Sequence, residues 1–133
     1  MQRAAKVFPT RIAVVYNNHR VNYGEYYSRC SQLASALVAV GVKPGSVVAT
    51  ILPNVPAQAE AHFGVPACGA VLNTINTRLD VDTVSYIFGH GEAKVVLVDS
   101  QFLALAESAC AQVGDKAPLI IEVSDPSAGF ESS

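Results

Sequence analysis

The segment 51–79, ILPNVPAQAEAHFGVPACGAVLNTINTRL, has the layout of a strand, a helix and a second strand. The first strand covers residues 47–52 and carries apolar and β-branched residues on both faces, as a strand in the middle of a parallel sheet does. A helix over about 55–68 follows, and the second strand covers about 70–75. The segment therefore predicts a β-α-β unit with two parallel strands.

One proline lies inside the predicted helix. Pro66 has no N–H to donate to the carbonyl four residues earlier. We therefore expect a kink or a break near residues 64–66.

The residues before this unit predict a hairpin and a long helix. Two extended runs, 12–16 and 19–23, are separated by Asn17-Asn18, and asparagine tolerates a positive φ at little cost. Apolar residues then recur at three- and four-residue spacing from 23 to 40. Asn22 and Glu25 are placed as a capping box, and Gly41 can end the helix in the left-handed conformation.

The residues after the unit continue the alternation of helices and strands. Asp80 can cap a helix over 81–88 that stops at a glycine-rich turn over 89–91. Strands over 94–99 and 118–123 flank a helix over 101–113. The predicted fold class is α/β, with a mostly parallel sheet, helices on both faces and an N-terminal β-hairpin. We expect one α/β unit over residues 1–123 and a flexible tail over 124–133.

Composition excludes several classes of protein. The chain has 133 residues, 50% of them hydrophobic, which is enough for one core. A net charge of -2 with 15% charged residues provides no basic surface for a nucleic acid. No apolar run approaches the roughly 18 residues that a membrane span needs. The N-terminus, MQRAAKVFPTR, lacks the apolar core of a secretory signal, so we expect an intracellular protein.

The cysteines show no grouping. Cys30, Cys68 and Cys110 are three in number and widely separated, which argues against a disulfide framework and against a zinc site. Cys30 and Cys110 fall on apolar helix faces, so we expect them in the core, and a reducing compartment fits this usage.

The histidines are also dispersed. His19, His62 and His90 fall on a hairpin, a helix and a turn, without a neighbouring acid and nucleophile. We expect surface or partly buried histidines, no catalytic group and no metal site.

Two glycine patterns fall short of phosphate-binding loops. Gly64 and Gly69 have the spacing of a phosphate-cradling loop, but residues 70–71 are Ala-Val where Lys and Ser or Thr are needed. The turn 89–91 follows a helix instead of opening one, and Lys94 occupies the place of the third glycine of a dinucleotide fingerprint. We interpret both as structural.

Asp99 ends a predicted strand, where an acid could hold magnesium or accept a phosphoryl group. This placement raises a second hypothesis, a signalling receiver domain. Such a domain needs an acidic pair after its first strand and a lysine after its last. Residues 16–18 are Tyr-Asn-Asn and residues 124–125 are Ser-Asp, so the pattern disfavours this hypothesis.

The polar residues at the second strand of the unit are the candidates to meet a ligand. Asn73, Asn76 and Arg78 flank what we predict to be the carboxyl end of a central strand, and ligands bind outside such ends. Arg78 could hold a phosphate in a fork-shaped contact. The alternative is structural: the asparagines satisfy backbone groups, and Arg78 pairs with Asp80 or Asp82.

Several longer stretches resemble the opening segment of AMP-forming acyl-CoA synthetases, the acyl-activating enzymes of the adenylate-forming superfamily. The matching stretches appear in the expected order: LPN at 52–54, EAHFGVP at 60–66, GAVLNTINTRLD at 69–80 and HGEAKVVLVD at 90–99. The resemblance covers residues 11–123. It implies an N-terminal portion of a ligase that converts a carboxylic acid, ATP and CoA to acyl-CoA, AMP and pyrophosphate through an acyl-adenylate.

The resemblance also implies what the chain lacks. The family's Ser/Thr/Gly-rich loop ending in Lys, its adenine-site motifs and its mobile C-terminal domain have no counterpart between residues 1 and 133. No catalytic, cofactor-binding or metal-binding role is therefore assigned, and Asn76 and Arg78 stay as ligand-facing candidates. ATP, Mg²⁺ and CoA are implied for the full-length enzyme, and none for this chain alone.

Three further expectations follow from the partial match. We expect the chain to be inactive alone, and a non-catalytic interaction or regulatory module remains the alternative. Uncovered apolar surface should favour self-association. The resemblance leaves the cytoplasm and the peroxisome open as locations.

Overall fold

The computed structural model describes residues 1–124, so the predicted flexible tail lies, apart from Ser124, outside the described residues. The helices are α1 Gln2–Val7, α2 Tyr23–Ala39, α3 Pro56–Ala67, α4 Val81–His90 and α5 Leu103–Val113. The strands are β1 Ile12–Tyr16, β2 His19–Asn22, β3 Val47–Ile51, β4 Val71–Thr74, β5 Ala93–Asp99 and β6 Leu119–Val123.

The main sheet has four parallel strands in the order β4-β3-β5-β6. The chain builds β4 on one side of β3, then crosses to the other side for β5 and β6. The helix of a right-handed crossover covers one face of the sheet when the chain moves in one direction across the strands, and the other face when the chain moves in the opposite direction. The α/β class with helices on both faces is therefore confirmed.

The predicted hairpin forms a separate sheet. β1 and β2 pair antiparallel, and Asn17 in the turn has a φ of 51°. This positive φ confirms the predicted turn.

The core consists of two apolar layers, one on each face of the sheet. Successive residues of a strand point to opposite faces, so β3 and β5 supply both layers. The layer under α4 and α5 includes Ala49, Ile51, Val96, Val98, Val84, Phe88, Ala106 and Ala109. The layer under α2 and α3 includes Val48, Leu52, Val95, Leu97, Leu37, Ala61 and Val65.

Local signals predicted the ends of α2. The Asn22 side chain accepts from the N–H of Glu25 at 2.9 Å, and the Glu25 carboxylate accepts from the N–H of Asn22 at 3.1 Å. Gly41, just beyond the helix, has a φ of 94°. The capping box and the left-handed stop are both confirmed.

Two local predictions need correction, and one helix was not predicted. The predicted break in α3 is wrong: the helix continues through Pro66 to Ala67. Pro66 falls in the last turn, where the loss of one hydrogen bond does not interrupt the helix. α4 runs two residues further than predicted, to His90, with Gly91 as its C-cap. The short helix α1 was not predicted, and it has no buried residue.

A glycine permits the close packing of α2 and α3. A Cβ placed on Gly64 would lie 2.7 Å from Leu33 Cδ2 and 3.0 Å from the carbonyl oxygen of Cys30. The leucine side chain can move, but the backbone of a packed helix cannot. Gly64 therefore allows α2 and α3 to approach closely. This role agrees with the interpretation of the Gly64–Gly69 pattern as structural.

We expect Gly64→Ala to destabilise the chain, because overpacking costs about 1–3 kcal/mol and outweighs a gain in helix propensity of about 1 kcal/mol. Gly89→Ala is the matched control, because Gly89 lies within α4 and a Cβ there would meet no atom within 4 Å. We expect the control to be neutral or stabilising. Urea unfolding measures both changes, and equal stability of the two variants would contradict the close crossing.

Candidate functional site

The carboxyl ends of β3 and β5 form the switch point of the sheet. The connection from β3 leads to one side and that from β5 to the other, and ligands of open α/β sheets bind in the crevice between such strands. Leu52, Pro53 and Asn54 follow β3, and Ser100 follows β5. The prediction that β4 is central is wrong within the described residues, because β4 is an edge strand.

The candidates Asn76 and Arg78 lie in one turn beyond β4, next to the strands of the switch point. Both are exposed, and Asn76 Oδ1 accepts a hydrogen bond from the N–H of Arg78 at 2.9 Å. Asn76 thus satisfies a backbone group, as the structural alternative predicts. Asn73 lies within β4 and is half-buried, with its side-chain nitrogen facing Gly91, so the structure does not group it with the other two.

The acids proposed as partners of Arg78 have other contacts. Asp80 Oδ1 accepts from the N–H of Thr83 at 2.8 Å as the cap of α4, and hydrogen bonds from Thr83 lower the pKa of Asp80. Asp82 accepts from Gln112 at 3.0 Å. In residues 1–124 the ion pair found is Arg29 with Glu60, so the predicted pairing of Arg78 is wrong.

Asp99 caps the turn that follows β5. It is buried, and its Oδ1 accepts from the backbone N–H and the side-chain nitrogen of Gln101, each at 3.1 Å. The first strand of the main sheet is β3, and Leu52, Pro53 and Asn54 after it include no acid. The environment of Asp99 thus differs from that of a phosphoryl acceptor.

A groove of about 640 Å³ lies between the hairpin and α3. Its lining is mostly apolar and consists of Val14, Val15, Tyr16, Tyr26, Asn54, Val55, Pro56, Gln58, Ala59, His62 and Phe63. This volume falls within the range of about 300–1,000 Å³ that is typical of ligand pockets. We call this feature the β1–α3 groove.

The side chains of the β1–α3 groove are held by local contacts. The Tyr26 hydroxyl donates to the carbonyl of Ala59 at 2.6 Å, and its ring meets the Phe63 ring edge-on at 5.8 Å between centroids. The His62 Nδ1 donates to the carbonyl of Gln58 at 2.8 Å. Gln58 Oε1 is buried and has no hydrogen-bond partner among the described residues.

A polar cluster joins α2 to α3 beside this groove. Arg29 on α2 pairs with the buried Glu60 on α3. Burial, together with the nearby Glu60 charge, raises the pKa of Cys30 to about 11. Burial also raises the pKa of Tyr26 to about 12, with contributions from Cys30 and Glu60. Both groups are therefore protonated at neutral pH and unsuited to act as a base or a nucleophile.

The three histidines lie at exposed positions. These are His19, His62 and His90, and His90 stacks on Tyr86 at 5.3 Å between centroids. Burial raises the pKa of the Cys110 thiol. Across residues 1–124, His, Cys, Asp and Glu side chains form no group that could hold a metal ion.

Sequence reasoning did not find the β1–α3 groove. It joins residues 14–16 to residues 54–63, and no local pattern relates segments so far apart. Two signals were available: β1 reads Ile-Ala-Val-Val-Tyr, apolar on both faces, and α3 begins without a side-chain cap.

None of the helices that the structure describes is long and apolar enough to cross a membrane.

Comparison with known proteins gives a match along most of the chain. The family model of AMP-binding enzymes matches residues 1–132. The peroxisomal acetate/butyrate–CoA ligase of Arabidopsis thaliana is 44% identical over an alignment of 138 residues, and the alignment covers 99% of this chain and 24% of that protein. The chain thus spans about a quarter of the length of this relative.

Solved structures share the fold. An anthranilate CoA ligase in complex with anthranoyl-AMP superimposes with a TM-score of 0.86 at 24% identity, over 98% of this chain and 24% of that one. The O-succinylbenzoate coenzyme A synthetase of Bacillus subtilis, in complex with ATP and magnesium, gives 0.79 at 21% identity, over 91% and 31%. At these identities the likeness concerns the fold alone.

Proposed function

Since the chain belongs to the family of AMP-binding enzymes, as an N-terminal segment of them, we propose that it forms part of an acyl-CoA synthetase. The observation that carries the proposal is the family match over residues 1–132, together with 44% identity to a CoA ligase. In the proposed reaction a carboxylate attacks the α-phosphorus of ATP, forming an acyl-adenylate and releasing pyrophosphate. The thiol of CoA then attacks the acyl carbon, and AMP leaves.

In this reaction the described residues act as a scaffold. The negative phosphates of ATP must be neutralised, and a bound Mg²⁺ would supply part of the positive charge that this requires. Residues 1–133 contain no Ser/Thr/Gly-rich loop ending in Lys. The full-length enzyme therefore binds the acid, ATP, Mg²⁺ and CoA. This chain contributes the α/β scaffold that contains the β3–β5 switch point.

The peroxisomal relative supports an intracellular enzyme. We propose this location for the whole protein, in the cytoplasm or in peroxisomes.

We expect the 133-residue chain to be inactive alone. Incubation with ATP, Mg²⁺, CoA and a panel of short-chain, branched and aromatic carboxylic acids should release no pyrophosphate, because the phosphate-binding loop is missing. The Arabidopsis ligase under the same conditions is the positive control. Pyrophosphate release that depends on both the acid and the chain would contradict the prediction.

We propose that Arg78 contacts a phosphate of ATP or CoA in the full-length enzyme. Its side chain is exposed and lies in the turn beyond β4, and the nearby acids Asp80 and Asp82 accept hydrogen bonds from other residues. Asn76 would then position Arg78 through the hydrogen bond to its N–H.

A full-length enzyme carrying this segment with Arg78→Ala should show a higher KM for one phosphate-bearing substrate. Loss of a hydrogen bond to a charged group costs about 1.5–3 kcal/mol, which corresponds to roughly 10- to 150-fold. Arg20→Ala, at an exposed position of β2, is the control. Unchanged KM values for both ATP and CoA would remove Arg78 from the binding site.

We also propose that the isolated chain self-associates. Several large apolar side chains are between 44% and 56% exposed, among them Val7, Phe8, Ile12, Val15 and Phe63. Such surface favours association when its covering is absent. Light scattering over a hundredfold concentration range should show dimers or larger species, and a monomer at the highest concentration would contradict this expectation.

A further inference from the structure

The charges of the chain are unevenly distributed along it. Residues 1–24 contain four of the nine Lys and Arg residues and none of the 11 Asp and Glu residues. The formal charge of this segment is therefore +4, and that of residues 25–133, with the other five basic residues and all 11 acids, is -6. Charge asymmetry of this kind indicates an interaction with a nucleic acid or a membrane surface.

The fold presents part of this positive charge on the outer side of α1. Met1 packs against a small cluster of buried side chains from β2 and α2, and Ala4 and Ala5 on the same side of the helix are half-buried. Arg3 and Lys6 are three residues apart, so they lie together on the opposite side, and both are exposed. The inner side thus anchors α1, and the outer side is basic.

The basic side chains of residues 1–24 are not engaged in ion pairs within residues 1–124. The ion pair found there joins Arg29 of α2 to Glu60 of α3. Glu25 is the first acid in the sequence, and its carboxylate accepts from the N–H of Asn22 as part of the capping box. The positive charge is therefore available to a binding partner.

Apolar side chains lie among these charges. Val7 and Phe8, at the end of α1, are 56% and 45% exposed. The guanidinium carbon of Arg11 lies 4.6 Å from the centroid of the Phe8 ring, which holds a positive charge against an aromatic face. We call the exposed side chains of Arg3, Lys6, Val7, Phe8 and Arg11 the N-terminal basic surface.

The combination of charge and apolar side chains fits a lipid surface better than other partners. A nucleic acid backbone would pair with the basic groups but would leave Val7 and Phe8 unburied. A second copy of the same surface would bring like charges together. A membrane with anionic headgroups satisfies both kinds of side chain, because the basic groups stay among the phosphates while the apolar groups enter the acyl boundary.

We propose that the N-terminal basic surface docks reversibly on membranes that contain anionic lipids. Arg3, Lys6 and Arg11 contact the headgroups, and Val7 and Phe8 insert below them. Each basic residue near such a membrane strengthens binding by roughly fivefold. The inference goes beyond the proposed function and does not depend on it, because vesicle binding and pyrophosphate release are separate measurements.

The test is flotation of the 133-residue chain with lipid vesicles on a density gradient, which leaves protein aggregates at the bottom. One set of vesicles is phosphatidylcholine, and in the other about one-third of the lipid is phosphatidylserine. We expect binding to the anionic set alone, and its loss in about 1 M salt, where the Debye length falls to about 3 Å. No binding to the anionic vesicles, equal binding to both sets, or binding that salt does not weaken overturns the proposal.

Two pairs of substitutions remove the same charge from different places. Arg3→Ala combined with Lys6→Ala should weaken binding to anionic vesicles by roughly 25-fold, because two headgroup contacts are lost. Lys43→Ala combined with Lys116→Ala should leave it unchanged, because these exposed residues lie outside the N-terminal basic surface. All four side chains are exposed, so the fold should persist. Equal weakening by the two pairs overturns the proposal, because net charge alone would then govern binding.

A further comparison separates a lipid surface from a nucleic acid. Val7→Ser should weaken vesicle binding by roughly fivefold, because about half of the valine surface no longer enters the bilayer. Val38→Ser is the matched control on α2, since Val38 is equally exposed at 56%. Binding to single-stranded RNA as tight as that to the anionic vesicles, with no effect of Val7→Ser on either, assigns the surface to a phosphate backbone and overturns the proposal.

Discussion

The structure depends on burying both faces of β3 and β5. Val48 and Ala49 are adjacent in β3 and point to opposite faces, yet each is completely buried, and Val95 and Val96 repeat this in β5. Such strands are stable only when helices cover the sheet on both sides. The reversal of strand order follows, because right-handed connections supply helices to both faces only if the chain builds outward in both directions. The crevice at the carboxyl ends of β3 and β5 is thus a consequence of core packing.

Electrostatics separates the structural from the candidate functional part of the molecule. At the crossing of α2 and α3, burial keeps Cys30 and Tyr26 protonated, and Glu60 has an arginine partner. The side chains at this crossing connect the two helices, and the protonated Cys30 and Tyr26 are unsuited to act as a nucleophile or a base. Beyond β4, by contrast, Arg78 is exposed and belongs to a turn that is itself ordered by Asn76. A ligand at this edge would therefore meet positive charge on a fixed backbone.

The sequence predicts most of the fold, because much of its information is local. The capping box of α2, the asparagine turn and the apolar strands each depend on residues within a few positions of one another, and each is confirmed. The order of strands is different. β4 looks central in its own sequence, but its position at the edge depends on where β5 pairs, and no short pattern specifies that pairing. The missed helix α1 buries no residue and so leaves no periodic apolar signal.

The candidate site is less predictable for the same reason. Asn76 and Arg78 could be proposed from their position after a strand, but the partners of Asp80 and Asp82 come from helix packing. The β1–α3 groove brings together segments separated by about forty residues. Sequence reasoning treats each of them separately, and only the packed chain reveals the space between them.

The hydrogen bond from Tyr26 to Ala59 has a mechanical consequence. Tyr26 lies in the first turn of α2, directly after the hairpin, and its hydroxyl is anchored to the backbone of α3. This bond favours the arrangement in which the hairpin stays close to α3, the helix into which β3 leads.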